Sequence, residues 1–404
     1  MLAVRFHYRP ARYLLTRFAA RRRPGLAYSG FGCVSLDDVA PPALPGPDWV
    51  RIDTTLSGIC GSDLAAVTAH DSFTLEPFGA FPFTFGHENI GRIAETGSNV
   101  TGWKAGHAVA VNPMLSCAQR GIDPVCDACA RGDYGLCRRT TDGVVGNGPM
   151  IGYNPVVGGG WSASFVAHQS QLHDITGMRD EVAVLVDPFA SALRPVLLHP
   201  PSPGDVVLVI GAGSIGLLTI AALRATGWGG PIVVMARHPF QAELAKKAGA
   251  TEIVESRSAM YGWAERLPGA RAFKPSLAPR FVEGGPSLVY DTVGTQGSVG
   301  DCMALTREGG RIVLVGAAAK IAVDWTRLWY RQLTVAGIFA YGSVPFEGRT
   351  RDIYDVALDL LRRIDMEGLG LVTHVYELEE YRAALAAALD KGGSRSIKVA
   401  IRPR

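Results

Sequence analysis

Two textures of apolar and polar positions divide the chain. Up to residue 186, short β-rich pieces such as Trp49–Thr54, Gly91–Glu95 and His107–Asn112 are broken repeatedly by Gly and Pro. That pattern predicts a barrel or sandwich. Leu2–Tyr8 predicts a first strand, and the arginines after it (Arg9, Arg12, Arg17, Arg21–Arg23) predict a solvated basic loop. From Asp187 the rhythm changes. Val206–Ile210 is a continuous apolar run, as a strand buried on both faces requires. Ile215–Ala225 is helical in pattern, Ile232–Met235 is the next strand, and Phe240–Ala248 is a helix ending at Gly249. Later strands are expected at Ser287–Tyr290, Arg311–Val315 and Leu333–Ile338. Such alternation implies a parallel, doubly wound sheet over 187–340. The Pro-, Arg- and Gly-rich stretch Arg257–Gly285 hides whatever regular structure it holds. Amphipathic helices are expected at Ile353–Ile364 and Glu379–Lys391, and a last strand, Ser396–Ile401, is expected to rejoin the first domain. The expected organisation is therefore a β-rich domain from 1–186 completed by 341–404, and a second domain from 187–340.

Gly211, Gly213 and Gly216 have G-x-G-x-x-G spacing, with Ser214 and Ile215 between the last two. The motif is weak alone. Here it leaves a buried strand and opens a helix inside a βαβ unit, which is the Rossmann dinucleotide context. The first glycine allows the tight turn, the second lets the backbone approach a pyrophosphate, and the third lets helix and strand pack closely. Free N–H groups of the first helical turn then face the phosphates. An acidic residue normally ends the second strand when NAD is bound. This chain has Ala236 and Arg237 there. A guanidinium pairs with a 2′-phosphate, so NADP is favoured over NAD.

Composition narrows the class. With 404 residues, 40 Lys+Arg and 37 Asp+Glu, the net charge is near zero, so there is no bulk case for a nucleic-acid or membrane partner. A hydrophobic content of 48% excludes a disordered chain. Four of the seven cysteines crowd into Cys117, Cys126, Cys129 and Cys137, spaced C-x8-C-x2-C-x7-C. Four thiolates close a tetrahedral Zn²⁺ shell, so such a site is structural and belongs in a reducing compartment, here taken to be the cytoplasm.

Gly58-Ile-Cys-Gly-Ser-Asp63 and Phe85-Gly-His-Glu-Asn-Ile-Gly91 carry further chemistry, but Cys60 and His87 lie too far apart for spacing to join them. Taken with the cysteine cluster, Asp187-Pro-Phe-Ala190 and the glycine turn, in that order, the chain resembles the zinc-dependent medium-chain dehydrogenase/reductase superfamily. The resemblance spans nearly the whole length. It implies a chaperonin-10-like β-rich catalytic domain beside a Rossmann domain, with the active site in a cleft between them. It also implies a catalytic zinc on Cys60, His87 and a third ligand, for which Asp187 is the candidate. Glu88 is implied to lie close to that zinc, and Asp63 to accept the second ring N–H of His87. Ser62 stands at the family's proton-passing Ser/Thr; Ala65 stands where some members continue the relay with His. Asp291, Val315 and Lys398 resemble contacts to the cofactor. Aromatics of Phe73–Phe85 and the segment Gly158–Trp161 are candidates for the pocket edge.

The expected activity is hydride transfer between NADP(H) and a secondary alcohol, polyol or sugar, or its carbonyl, with two zinc ions per chain. The motifs lean to the sorbitol/threonine/glucose branch, in a homo-oligomer, tetramer before dimer. Two rivals stand beside it. A zinc-independent quinone or enone reductase of the same superfamily would lack the ligand set. A non-enzymatic zinc module for nucleic acid would need a basic cysteine cluster, whereas Arg120 and Arg131 face Asp123, Asp127 and Asp133 there.

Overall fold

The computed structural model describes residues 1–403. Two compact units emerge: Met1–Asp187 with Tyr341–Ser343 and Thr350 onward, and Pro188–Ala340 with Val344–Arg349.

The main sheet of the first unit has seven strands. Its path runs Val372–Glu377, Lys398–Arg402, Trp49–Gly58, Glu88–Thr96, Ala108–Val111, Leu172–Asp174, with Ser164–His168 pairing Trp49–Gly58 off that path. Trp49–Gly58 is the hinge of the arrangement. One edge of it meets Glu88–Thr96 along most of its length. The other meets Ser164–His168 at Trp49–Asp53 and then Lys398–Arg402 at Ser57–Gly58. Val50, Ile52 and Leu56 are fully buried at alternating positions, each contributing about 1.5–3 kcal/mol of transfer free energy. The last strand does rejoin this sheet, although it starts at Lys398 and its outer neighbour runs parallel to it. Leu2–Phe6 forms a smaller sheet with Val34–Asp38 and Phe83–Thr84.

One expectation fails at the start of the chain. The basic stretch is no loop: Pro10–Ala20 is a helix. Pro10 sits in its first turn, where a missing N–H costs nothing. Tyr13, Thr16 and Ala20, at i, i+3 and i+7, are its buried face. Arginine density masked that periodicity.

The second unit is built on six parallel strands ordered Glu252–Val254, Ile232–Met235, Val207–Ile210, Leu288–Asp291, Arg311–Leu314, Thr334–Gly337. Every residue of the Val207–Ile210, Ile232–Met235 and Leu288–Asp291 strands is buried, as a sheet covered on both faces demands. The order reverses between Val207–Ile210 and Leu288–Asp291, so the switch point of this doubly wound sheet lies at the glycine-rich turn. The opaque 257–285 stretch folds as a helix, Arg257–Ala264, capped by Ser256, followed by an antiparallel pair, Arg271–Phe273 with Phe281–Glu283.

Candidate active site

Sheet register joins the two separated motifs. Gly58 pairs with Glu88 across adjacent strands. Cys60, two residues past Gly58, therefore comes up beside His87 and Glu88. One ligand atom from each of Cys60, His87 and Glu88 lies within 4.8 Å of the others. Gly58 has to be glycine, because a Cβ there would stand 2.0 Å from Glu88 Oε2. Cys60 also opens the Gly61–Val67 helix, and its N–H donates to Asp63 Oδ2 at 2.9 Å. The Tyr153 hydroxyl donates to Asp63 Oδ1 at 3.1 Å. His87 Nδ1 lies 3.3 Å from that same oxygen, but its N–H is not aimed at it and is left buried without a hydrogen bond. Asp63 is thus beside His87 as expected, without the aligned bond. Burial works against a charged His87, but Asp63 and Cys60 outweigh it and hold the imidazole pKa well above its ordinary value.

The third position differs from expectation. Asp187 stays outside this cluster. Its Oδ2 accepts the hydroxyls of Tyr341, at 3.0 Å, and of Tyr354. Burial, with Glu88 adding to it, pushes the Asp187 carboxyl up to about 6 against the pull of His87 and the two phenols. Glu88 takes the third place. Both its oxygens accept from Lys398 Nζ, at 2.7 and 2.6 Å, and the same ammonium donates to Ile59 O at 3.2 Å. Lys398 is 3% exposed and Glu88 1%. Burial lowers the Lys398 pKa, yet the Glu88 carboxylate more than restores it. Lys398, expected near the cofactor, thus has its ammonium engaged by Glu88 and Ile59 within the first unit.

Zinc fits this donor set. It offers a thiol, an imidazole and a carboxylate close together, with His87 and Glu88 buried and Cys60 half-buried. Each carboxylate oxygen of Glu88 has two lone-pair directions, so the bonds from Lys398 leave room for a metal.

The four clustered cysteines also converge, with all four sulfurs within 4.8 Å. Cys117 accepts the N–H of Cys126 at 3.3 Å, and Cys137 that of Arg139 at 3.4 Å. Although burial opposes it, backbone and thiol hydrogen bonds bring Cys126 down to about 6, whereas burial pushes Cys129 and Cys137 up. Arg120 holds the lobe together. Its fully buried guanidinium donates to four backbone carbonyls, those of Leu115, Asp142, Gly146 and Gly148.

In the second unit, Gly211 has φ +103°, and a Cβ on Gly216 would lie 2.0 Å from Gly211 O. Both glycines are therefore demanded by geometry. Gly213 caps the Ser214–Ala225 helix, and Ser214 and Ile215 form its half-buried first turn. Arg237 is exposed just beyond the second strand, and among the described residues it has no carboxylate partner. Asp291 departs from expectation. Its carboxylate is buried and taken up by the N–H groups of Val293 and Gly294 and the hydroxyl of Ser298. These bonds make it a shaper of the turn. Val315, half-buried beyond the Arg311–Leu314 strand, donates its N–H to Asp291 O.

Residues 46–177 match the alcohol dehydrogenase GroES-like domain, and residues 214–363 the zinc-binding dehydrogenase domain. An L-threonine 3-dehydrogenase of Streptomyces coelicolor is 30% identical over 361 residues, 89% of this chain and 94% of that protein. The chain belongs to the zinc-dependent medium-chain dehydrogenase/reductase superfamily. A sorbitol dehydrogenase of Bacillus subtilis is 28% identical over 359 residues, 86% of this dehydrogenase and 89% of the relative. Among solved structures, 2R,3R-butanediol dehydrogenase from Bacillus subtilis shares the fold over 100% of both chains, with TM-score 0.72 and 24% identity. A zinc-binding dehydrogenase from Sinorhizobium meliloti, bound to NADP, covers 92% of this chain and 96% of its own, with TM-score 0.70 and 25% identity.

This dehydrogenase is thus a zinc-dependent oxidoreductase acting on alcohols with a nicotinamide cofactor. Tyr153, Tyr341 and Tyr354 were not visible as site residues in its sequence, because tyrosines carry no ligand spacing. The 73–85 and 158–161 aromatics divide in two. Phe83, Phe85 and Trp161 are core, whereas Phe73, Phe78 and Phe81 are exposed. No helix among the described residues is long and apolar enough to cross a membrane.

Proposed function

We propose that this dehydrogenase interconverts a secondary alcohol, polyol or sugar with its carbonyl, using NADP(H) and two zinc ions. The convergence of Cys60, His87 and Glu88 carries the reading. Zinc held by these residues would supply the Lewis acidity that makes an alcohol hydroxyl easier to deprotonate. A nicotinamide cofactor held at the turn from Gly211 to Gly216 would supply the hydride acceptor or donor.

The chain's own groups do the rest. Cys60 and His87 are fixed by their strand ends, and Asp63 ties the Cys60 backbone to Tyr153. Lys398 holds Glu88 from both oxygens, so its carboxylate is oriented before any ligand arrives. Ser62, half-buried next to the Tyr153 hydroxyl, would take the substrate proton at its Oγ while handing on its own; Ala65 offers no continuation, and the Tyr153 hydroxyl and the buried Asp63 carboxylate are the next groups in reach. The cysteine lobe holds the second zinc, closed and structural. Gly211, Gly213 and the first turn from Ser214 to Gly216 receive the pyrophosphate. Arg237, unpaired and exposed, meets a 2′-phosphate, in keeping with NADP in the Sinorhizobium meliloti structure. Sorbitol, threonine and butanediol dehydrogenases among the relatives fit a substrate bearing vicinal polar groups.

The test is a turnover screen of polyols, sugars and amino-alcohols with both cofactors, beside metal analysis. Two zinc per chain are expected, falling to one in Cys60→Ser. Arg237→Ala should lose roughly ten- to a hundredfold in kcat/KM for NADP, the worth of a charge-assisted contact, and little for NAD. Equal use of both cofactors by the wild type, or a single zinc in it, would refute these assignments.

A further inference from the structure

A charge near zero overall conceals strong local segregation. Residues 1–36 contain seven arginines and no Asp or Glu. Among the described residues only Arg5 of these seven lies within ion-pair distance of a carboxylate, Asp37 at 3.9 Å. The Pro10–Ala20 helix is docked by one face. Tyr13 packs on Phe6, Tyr8 and Phe73 with ring centroids 6.4, 5.4 and 5.9 Å away. The opposite face turns outward, and it is apolar: Leu14, Leu15 and Phe18 are 55, 57 and 63% exposed. Arg12, Arg21, Arg22 and Arg23 border it, all exposed, and Arg22 stacks over Phe18 at 5.0 Å. Exposed Phe73, Leu75 and Phe78 continue the apolar surface beyond Tyr13, with Glu76 the acid among them.

We propose that this face docks peripherally on an anionic phospholipid bilayer. Outward Leu and Phe between arginines match an interface that is acyl at one depth and phosphate at the next. Charge decides between occupants. A second copy would bring arginines against arginines, with Glu76 the one acid set among the apolar side chains of each face. A nucleic acid would satisfy the arginines and leave Leu14, Leu15 and Phe18 in water. An anionic lipid surface uses both sets at once.

The test is co-sedimentation of the full chain with vesicles of phosphatidylglycerol and phosphatidylcholine, or phosphatidylcholine alone. Binding to the anionic vesicles is expected, weakening as salt rises, with little binding to the neutral ones. Leu14→Ser/Phe18→Ser should weaken it at least about tenfold. Arg21→Gln/Arg22→Gln/Arg23→Gln should weaken it about fivefold per arginine removed. Both variants change exposed side chains, so melting temperature and turnover should be unchanged, which separates a docking defect from misfolding. Failure to sediment with anionic vesicles overturns the proposal, as does binding indifferent to Leu14→Ser/Phe18→Ser. So does a change of oligomeric mass in that variant, or duplex oligonucleotide binding in place of vesicle binding.

Discussion

Replacing Lys398 by Met probes how the catalytic pocket tolerates its own charge. The wild-type ammonium neutralises Glu88 through two contacts of 2.7 and 2.6 Å and also satisfies Ile59 O at 3.2 Å. Methionine fills similar space but leaves a carboxylate buried with no counter-charge. Removing one partner of a buried pair costs about 3–5 kcal/mol, or roughly 10 °C in melting temperature for a unit of this size. The assay is thermal unfolding in chelator, comparing wild type, Lys398→Met and Lys398→Met/Glu88→Gln. The single variant should melt far lower. The double variant should regain most of the loss, because a neutral amide needs no counter-ion. Saturating zinc should narrow the deficit of the single variant, since the ion then supplies the missing positive charge. A Lys398→Met protein that melts within 2 °C of wild type in chelator, a limit of about 1 kcal/mol, would refute the reasoning.

Three other outcomes follow from burial and charge. Asp71 is pushed up to about 7 by burial, with Asp63 adding and Arg17 opposing. A carboxyl whose pKa is raised on folding stabilises the fold below its unfolded value and loses that contribution as pH rises through about 7. Asp71→Asn should therefore raise the melting temperature at pH 8, by about 4 °C for about 2 kcal/mol, and leave it unchanged near pH 4; a uniform shift at both would contradict this. Arg120→Met strips the donors from four carbonyls and should destabilise the cysteine lobe by about 3 kcal/mol or more, read as weaker zinc retention against a chelator. Gly58→Ala places a methyl against Glu88 Oε2 and should cut turnover at least about tenfold through displacement of that carboxylate, while the zinc content of the cysteine lobe is unchanged.

What could be read from the sequence was what is local. Gly211, Gly213 and Gly216 follow a four-residue apolar strand, so turn, helix and sheet class are all encoded within a dozen positions. The four cysteines share one loop and needed no long-range information. Cys60 and His87 were recognisable only through their motifs, since nothing in their spacing reveals the Gly58–Glu88 register that joins them. That Glu88 and not Asp187 clusters with Cys60 and His87 depends on partners distant in sequence: Tyr341 and Tyr354 donate to Asp187, whereas Lys398 orients Glu88. Lys398 itself, on an apolar strand, reads equally as a surface or a cofactor lysine until its neighbours are known. The Pro10–Ala20 helix was lost because its buried positions are filled by Tyr, Thr and Ala, weakly apolar signals among arginines.

The ion pair between Glu88 and Lys398 spans 310 residues of chain, and that separation sets an order of events during synthesis. The strand ends bearing Cys60, His87 and Glu88 emerge from the ribosome early, whereas their counter-ion comes hundreds of codons later. A nascent or prematurely terminated polypeptide thus carries the thiol, imidazole and carboxylate without the ammonium that orients Glu88. The group that holds the Glu88 carboxylate in place is the last part of this catalytic centre to be translated.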